Sequence, residues 1–408
     1  MKRVQAKTIL GVWIAAFAGT SMGDFALAGE PKWRQHTINA NSEFEAAGAF
    51  DVDGDGKLDI VSGNTWYRAP DWEPVPIREV QRVGTYYNDF ATLPLDVNGD
   101  GHLDFFTVSY FGSDVGWVEN PGKPGETWNY HRIDSPGPSE AAVFVDLTGD
   151  GIPDLLPNPT NVVAWYEILP RRGTKGFEIK KHDFGTEAAG HGVGSGDVNG
   201  DGRIDLLTPK GWFEAPPDPA REPWTWHPEW NLGAAGIQIL ARDLDGDGLS
   251  EVVYGMGHDY GLFWLKQSRS EGGQRQWTKG VIDETIASVH TLLWSDLDGD
   301  GKPNELLTGK RVYAHEIEPG ATEGSVIAWY QFDPAAGAWK KHVIFQGEPA
   351  LNAPASAGER LALRDFPPGT AGTGLQMTVI DLDGDGDLDL ICPGKSGLYL
   401  FENLRSDP

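Results

Sequence analysis

Carboxylates that alternate with glycine are the first residues in this chain spaced for chemistry. The segment Asp51-Val-Asp-Gly-Asp-Gly-Lys-Leu-Asp59 puts side-chain oxygens at positions 1, 3, 5 and 9 and glycines at 4 and 6. Six further segments repeat it. The oxygen donors are Asp51, Asp53, Asp55 and Asp59; Asp96, Asn98, Asp100 and Asp104; Asp146, Thr148, Asp150 and Asp154; Asp197, Asn199, Asp201 and Asp205; Asp243, Asp245, Asp247 and Glu251; Asp296, Asp298 and Asp300; and Asp381, Asp383, Asp385 and Asp389. Hard oxygen ligands in a tight, flexible turn suit Ca²⁺ better than Mg²⁺. Up to seven calcium ions are expected. The third loop is weaker because Thr148 replaces an acid, and the sixth because Asn304 stands at position 9. None of the loops has the Glu at position 12 that a helix–loop–helix calcium site needs.

A second set of residues keeps register with the first. Six residues before each leading Asp stand Glu45, Phe90, Glu140, His191, Ile237, His290 and Leu375. In a radial repeat such positions converge on the axis. Glu45, Glu140, His191 and His290 could then hold one further divalent ion (Zn²⁺, Mn²⁺, Ni²⁺ or Mg²⁺). They could also serve directly as acid and base, or be unrelated polar groups on a wet channel. His258, Asp259, Tyr260, Lys210, Lys310, Arg311, His315 and Lys395 fall on connections expected at the same face, with Tyr87 and Asp89 beside them. Cations over an acidic floor suit an oxygen-rich carbohydrate substrate.

The elements that must carry these residues follow from what flanks each loop. A β-rich run such as Ala142-Val-Phe-Val145 comes before it. A short strand comes after it, then an aromatic strand such as Trp165-Tyr166, then a last strand reaching a His, as in Phe177 to His182. The loops begin at residues 51, 96, 146, 197, 243, 296 and 381. Four antiparallel strands at this period make a propeller blade. The expected fold is all-β, a seven-bladed β-propeller of four-stranded blades. The last repeat lacks its fourth strand, and Trp33-Arg-Gln-His-Thr-Ile38 has that strand's signature without a blade of its own. It is expected to complete the last blade and close the ring. The loops then lie on one face, and the other face is left for function.

Composition limits the alternatives. A net charge of −27 argues against nucleic acid as a partner. The single cysteine, Cys392, excludes an internal disulfide and reads as a buried small hydrophobe. Residues 1–28 read as a secretory signal, with Lys2, Arg3 and Lys7, an apolar run from Ile9 to Ala18, and a cleavage site at Ala26-Leu27-Ala28. Residues 29–408 are then one domain, secreted or periplasmic, with no membrane span and with metals as its staples. There is no Ser or Cys nucleophile constellation and no phosphate-binding glycine loop before a helix.

The repeats resemble the FG-GAP or VCBS calcium-binding propeller family. That resemblance implies the fold and the calcium, and says little about activity. Residues from about 185 to 403 resemble the propeller of aldos-2-ulose dehydratases in Gly190-His-Gly192, Gly257-His-Asp-Tyr-Gly261, Gly309-Lys-Arg311 with Ala314-His315, and Gly394-Lys-Ser-Gly397. It implies metal-assisted removal of water from a keto- or anhydro-sugar. The cupin domains of those enzymes are lacking. On this reading Glu140, His191 and His290 hold the catalytic metal, His258 or Tyr260 is the base, and His315 or Lys310 the acid. Tyr87, Asp89, Lys210, Asp259, Arg311 and Lys395 bind substrate. A polysaccharide lyase acting on uronates would use the same parts. The rival from another class is a non-catalytic propeller that binds carbohydrate or protein.

Overall fold

The computed structural model describes residues 31–313, 318–351 and 365–405. The signal segment 1–28, His315 and residues 352–364 of the long connection after Gln346 lie outside them.

The described chain is all-β, with a propeller-like arrangement. β1 (Trp33–Asn39) opens it. β2 (Gly48–Phe50), β3 (Asp59–Ser62), β4 (Thr65–Arg68) and β5 (Glu73–Pro76) form the first four-stranded sheet. β6 (Arg82–Val83) and β7 (Tyr86–Tyr87) make a short hairpin. β8 (Leu93–Leu95), β9 (Asp104–Val108), β10 (Val115–Glu119) and β11 (Asn129–Asp134) form the next sheet. β12 (Ala142–Val145), β13 (Asp154–Pro157), β14 (Ala164–Pro170) and β15 (Phe177–Asp183) follow. An eight-stranded sheet comes next. Its halves are β16 (Gly194–Gly196), β17 (Asp205–Thr208), β18 (Gly211–Glu214) and β19 (Thr225–His227), and β20 (Ile239–Arg242), β21 (Glu251–Gly255), β22 (Tyr260–Arg269) and β23 (Arg275–Ala287). β24 (Val289–Ser295), β25 (Glu305–Lys310), β26 (Val326–Asp333) and β27 (Ala338–Gln346) form another four-stranded sheet. β28 (Thr378–Ile380), β29 (Asp389–Cys392) and β30 (Leu398–Asn403) complete the order.

The sequence divides the eight-stranded sheet into two repeats, and glycine explains why they fuse. β16 and β20 pair in parallel at Gly194↔Ile239 and Ser195↔Leu240. A Cβ on Gly194 would fall 1.6 Å from the Ile239 carbonyl oxygen, so only glycine lets the two inner strands approach this closely.

β1 pairs antiparallel with β30, from Trp33↔Asn403 to Asn39↔Leu398. The strand before the first loop and the strand after the last loop therefore share one sheet, β1-β30-β29-β28. Ala46 and Gln376 form a parallel bridge between the approaches to β2 and β28.

The core lies between sheets, where alternate apolar residues of neighbouring faces meet. Phe50, Val61 and Trp66 pack with Phe105, Val118 and Trp128. Phe106 and Val108 pack with Leu155 and Tyr166, and Leu156 and Trp165 with Leu206 and Phe213. Leu207 and Trp212 meet Val252 and Tyr254, and Val253 and Trp264 meet Leu306 and Tyr330. Leu307 and Trp329 meet Leu390 and Phe401. Ile391 and Leu400 meet Ala49, Ile60 and Tyr67, joining the last sheet to the first. Cys392 is wholly buried, with burial pushing its thiol above the ordinary range. No helix among the described residues is long and apolar enough to cross a membrane.

Candidate functional site

The residues six before each loop fall into two groups. Phe90, Ile237 and Leu375, on the approaches to three different sheets, share one buried cluster. Beside this apolar plug lie the polar members. His191 Nε2 is 3.2 Å from Glu140 Oε2 and 3.1 Å from His258 Nε2. His191, His258 and His290 each offer a ring nitrogen, and these atoms all lie within 4.8 Å of one another.

Each ring is oriented from behind. His191 Nδ1 lies 3.1 Å from the Ala235 carbonyl and His290 Nδ1 3.2 Å from the Ser288 carbonyl. His258 Nδ1 faces the Glu318 carboxylate at 2.9 and 3.0 Å. An Nδ1–H that donates to oxygen puts the ligating lone pair on Nε2, the arrangement found around histidine-bound metals. The backbone leaves room for it. A Cβ on Gly257 would fall 3.0 Å from His191 Cε1 and 3.3 Å from His290 Nε2. Ser288, whose carbonyl faces His290 Nδ1, takes a positive φ of 55°. Such conformations persist only where surrounding contacts enforce them. The residues present fit a three-histidine divalent site with Glu140 alongside.

Burial alone would raise the Glu140 carboxyl. The His191 hydrogen bond and the Arg311 charge overcome that and hold it well below the usual range. Burial would lower His191, but Glu140 raises it above its ordinary value. His290, fully buried and near the Arg311 charge, is pushed far down and stays neutral.

Asn158 joins the two sides of the site. Its Oδ1 accepts from the Glu140 and Ala141 N–H groups at 2.9 and 2.8 Å, and its Nδ2 donates to the His191 carbonyl at 3.0 Å. Sequence reasoning missed it, because an Asn just past a strand carries no motif.

Several expectations change. Glu45 is not aimed at the histidines. Arg311 Nε and Nη2 occupy its two oxygens at 2.7 and 3.0 Å, and Lys395 Nζ stands 3.9 Å away. His258, read as a base, places its Nε2 beside His191 and His290. Asp89 is buried at 2% exposure, 2.5 Å from Arg78 Nη2 and 2.6 Å from Thr107 Oγ1, so it holds strands together and does not face a substrate. Tyr87 packs on Phe44 with ring centroids 4.4 Å apart. Lys210 donates to the Glu187 carbonyl at 3.0 Å. Lys395 Nζ lies 3.3 Å from the Tyr86 ring centroid and donates to the Tyr313 carbonyl at 3.2 Å.

The connection after β25 folds over the cluster. Lys310, lowered to about 8 by burial, donates to the Gly320 and Glu323 carbonyls. Tyr260 donates to Glu323 Oε1 at 2.6 Å, and that carboxylate raises the phenol to about 12. With Glu318 on His258, residues 318–323 form a strap tied to the site by three side chains. Asp259 and Tyr260 also line a cleft of about 580 Å³ with Trp230, Tyr254 and Trp277.

The acidic loops have one construction. Asp51 accepts from the Gly54 and Gly56 N–H groups at 2.7 and 2.9 Å, and those glycines have φ of 78° and 88°. Asp59, at position 9, accepts from Val52 N–H at 3.1 Å and from Ala69 N–H at 2.7 Å, just past the aromatic strand. Ligand oxygens of Asp51, Asp53 and Asp59 lie within 4.8 Å of one another, as do those of Asp243, Asp245 and Glu251, of Asp296, Asp298 and Asp300, and of Asp381, Asp383 and Asp385. In the sixth loop Glu305, one residue past Asn304, accepts from Leu297 N–H at 2.9 Å and takes the role of the position 9 acid. The strand starts one residue later than the template suggested, so that loop has its full complement of carboxylates. Burial pushes Asp104, Asp154 and Asp205 up to about 7 and Glu305 to about 8.

Comparison with known families finds an FG-GAP-like repeat at residues 96–156, spanning the second acidic loop and the opening of the third sheet. A search of curated proteins finds no match.

Proposed function

We propose that this chain is an exported, calcium-stapled propeller enzyme that eliminates water from a keto- or anhydro-sugar at a metal site on the axis. The observation that carries the reading is the convergence of His191, His258 and His290 on one point, each with Nδ1 held from behind. These residues would hold the divalent ion, with Glu140 adjacent. Such an ion supplies Lewis-acid polarisation of a ketone oxygen.

The chain's own residues supply the proton transfers. Glu140, ionised at the site, takes the proton from the carbon next to the carbonyl. The C–O bond at the neighbouring carbon then breaks. The departing hydroxyl takes a proton from the Tyr260 phenol, which stays protonated at neutral pH, and leaves as water. The 318–323 strap shields these steps from solvent. Calcium in the seven loops fixes the opposite face. The repeats form a seven-bladed ring, supported by the β1–β30 pairing and by the cluster that joins the last sheet to the first.

The test is enone absorbance from a panel of keto- and anhydro-sugars. Turnover by the wild-type chain should fall on the order of 100-fold or more in Glu140→Gln, with the metal retained. Absence of any product from the fully loaded protein would favour the second reading, a carbohydrate-binding propeller. The aromatic-lined cleft beside Tyr260 is what favours that alternative.

A further inference from the structure

Arg311 has one nitrogen without a hydrogen bond. The side chain is 1% exposed. Its Nε and Nη2 are taken by Glu45, and its backbone N–H donates to the Ser288 carbonyl at 3.0 Å. Nη1 makes no hydrogen bond. Glu140 Oε2 lies 3.8 Å from it, beyond hydrogen-bond reach. Buried donors almost always find an acceptor, so one left open beside a ligand site marks a place where a ligand supplies the acceptor.

The position of Nη1 defines that ligand. Glu140 Oε2, 3.8 Å from Nη1, is also 3.2 Å from His191 Nε2. The open donor and the histidine cluster therefore flank the same Glu140 oxygen. The Glu45 fork fixes the guanidinium plane, so Nη1 cannot swing elsewhere. An oxygen directed at the histidines would have its neighbour, on the adjacent carbon, within reach of Nη1. Guanidinium donors prefer oxygens that carry charge.

We infer that Arg311 Nη1 is the oxyanion donor of the site, and that the site selects molecules with oxygens on adjacent carbons, one toward the histidine cluster and one on Arg311. The ligand class is the α-hydroxy ketone and the enediolate formed from it. This rests on the metal reading proposed above.

Oxalate mimics the enediolate and malonate separates its carboxylates by one more carbon. Both are titrated calorimetrically into the zinc-reconstituted full chain, and zinc stoichiometry is measured alongside. Wild type should bind oxalate more tightly than malonate. Arg311→Lys, which keeps the charge and loses the fork, should bind zinc normally and lose about 10- to 100-fold in oxalate affinity. Equal oxalate affinity in both proteins at full zinc loading overturns the inference. If Arg311→Lys does not fold, the pair Glu45→Gln/Arg311→Gln removes both charges of the fork together and is read the same way. Failure of wild type to bind zinc would instead overturn the metal reading, and this inference with it.

Discussion

Asn158 is the residue on which the site's geometry turns. It is 2% exposed, and its amide holds the Glu140 backbone and the His191 carbonyl together. Asn158→Ala should weaken zinc binding by roughly 10-fold, as loss of an orienting partner does elsewhere. Competition against a chromogenic chelator measures it, and unchanged affinity would show that the two side chains are placed without it. Glu140, His191 and His290 were legible from register alone, because equivalent positions of a radial repeat converge. Glu45 shares that register but is captured by Arg311, a residue of a distant connection that no spacing rule could pair with it. His258 was visible as chemistry, but its approach to His191 and His290 was not, since it enters from a different connection. Four of the other histidines have a structural explanation. His131, His182, His227 and His342 stack on Trp117, Trp165, Trp212 and Trp329, their direct cross-strand partners. His131, His182 and His227 also meet Glu119, Glu167 and Glu214 at 2.7 to 2.8 Å. These pairs make the recurrent His of the last strand a packing signature. His182→Ala should leave turnover unchanged within about twofold while lowering stability by about 1 kcal/mol.

Neighbouring units are tied by side chains that recur at one place in the repeat. Tyr67, Tyr166 and Tyr330, the second aromatic of the third strand, reach the outer strand of the preceding unit. Tyr67 accepts from Asn39 at 2.8 Å, and Tyr166 and Tyr330 donate to Asp134 and Asp283 at 2.7 Å. The Trp-Tyr pairs were visible in the sequence as packing, but the hydroxyl partner depends on the register between two units. Asp283 also accepts from Lys341 at 2.7 Å. Burial alone would raise its carboxyl, but Lys341, Thr285 and Tyr330 bring it down to about 2 from an ordinary 3.8. A depressed carboxyl contributes stability that is fully present above its ordinary pKa and is lost as the pH falls through about 2. Asp283→Asn should therefore destabilise by about 1–2 kcal/mol near neutral pH, after allowance for solvent screening. The difference from wild type should shrink as the pH drops below about 4. Urea unfolding at both pH values checks this, and a pH-independent difference would contradict it.

At the scale of the whole molecule, no disulfide crosslinks the sheets, since Cys392 is the only cysteine. The repeat pattern made the sheets and their order legible, including the N-terminal strand in the last sheet. It did not reveal the fusion of two units through Gly194, because backbone proximity leaves only a glycine as its trace. Calcium binding the folded chain alone should stabilise it by about 2.7 kcal/mol per site at a hundredfold excess over Kd. Excess chelator should lower the melting temperature strongly, by calorimetry, and restored calcium should recover it. An unchanged melting temperature would remove calcium from the account. The axial metal is the central claim, and elemental mass spectrometry of the protein purified in calcium buffer tests it most directly. About one zinc, manganese or nickel per chain is expected beside the calcium, lost when His191 and His290 are both replaced by alanine. Calcium alone in the wild-type protein, or a transition metal that survives that double substitution, would contradict it.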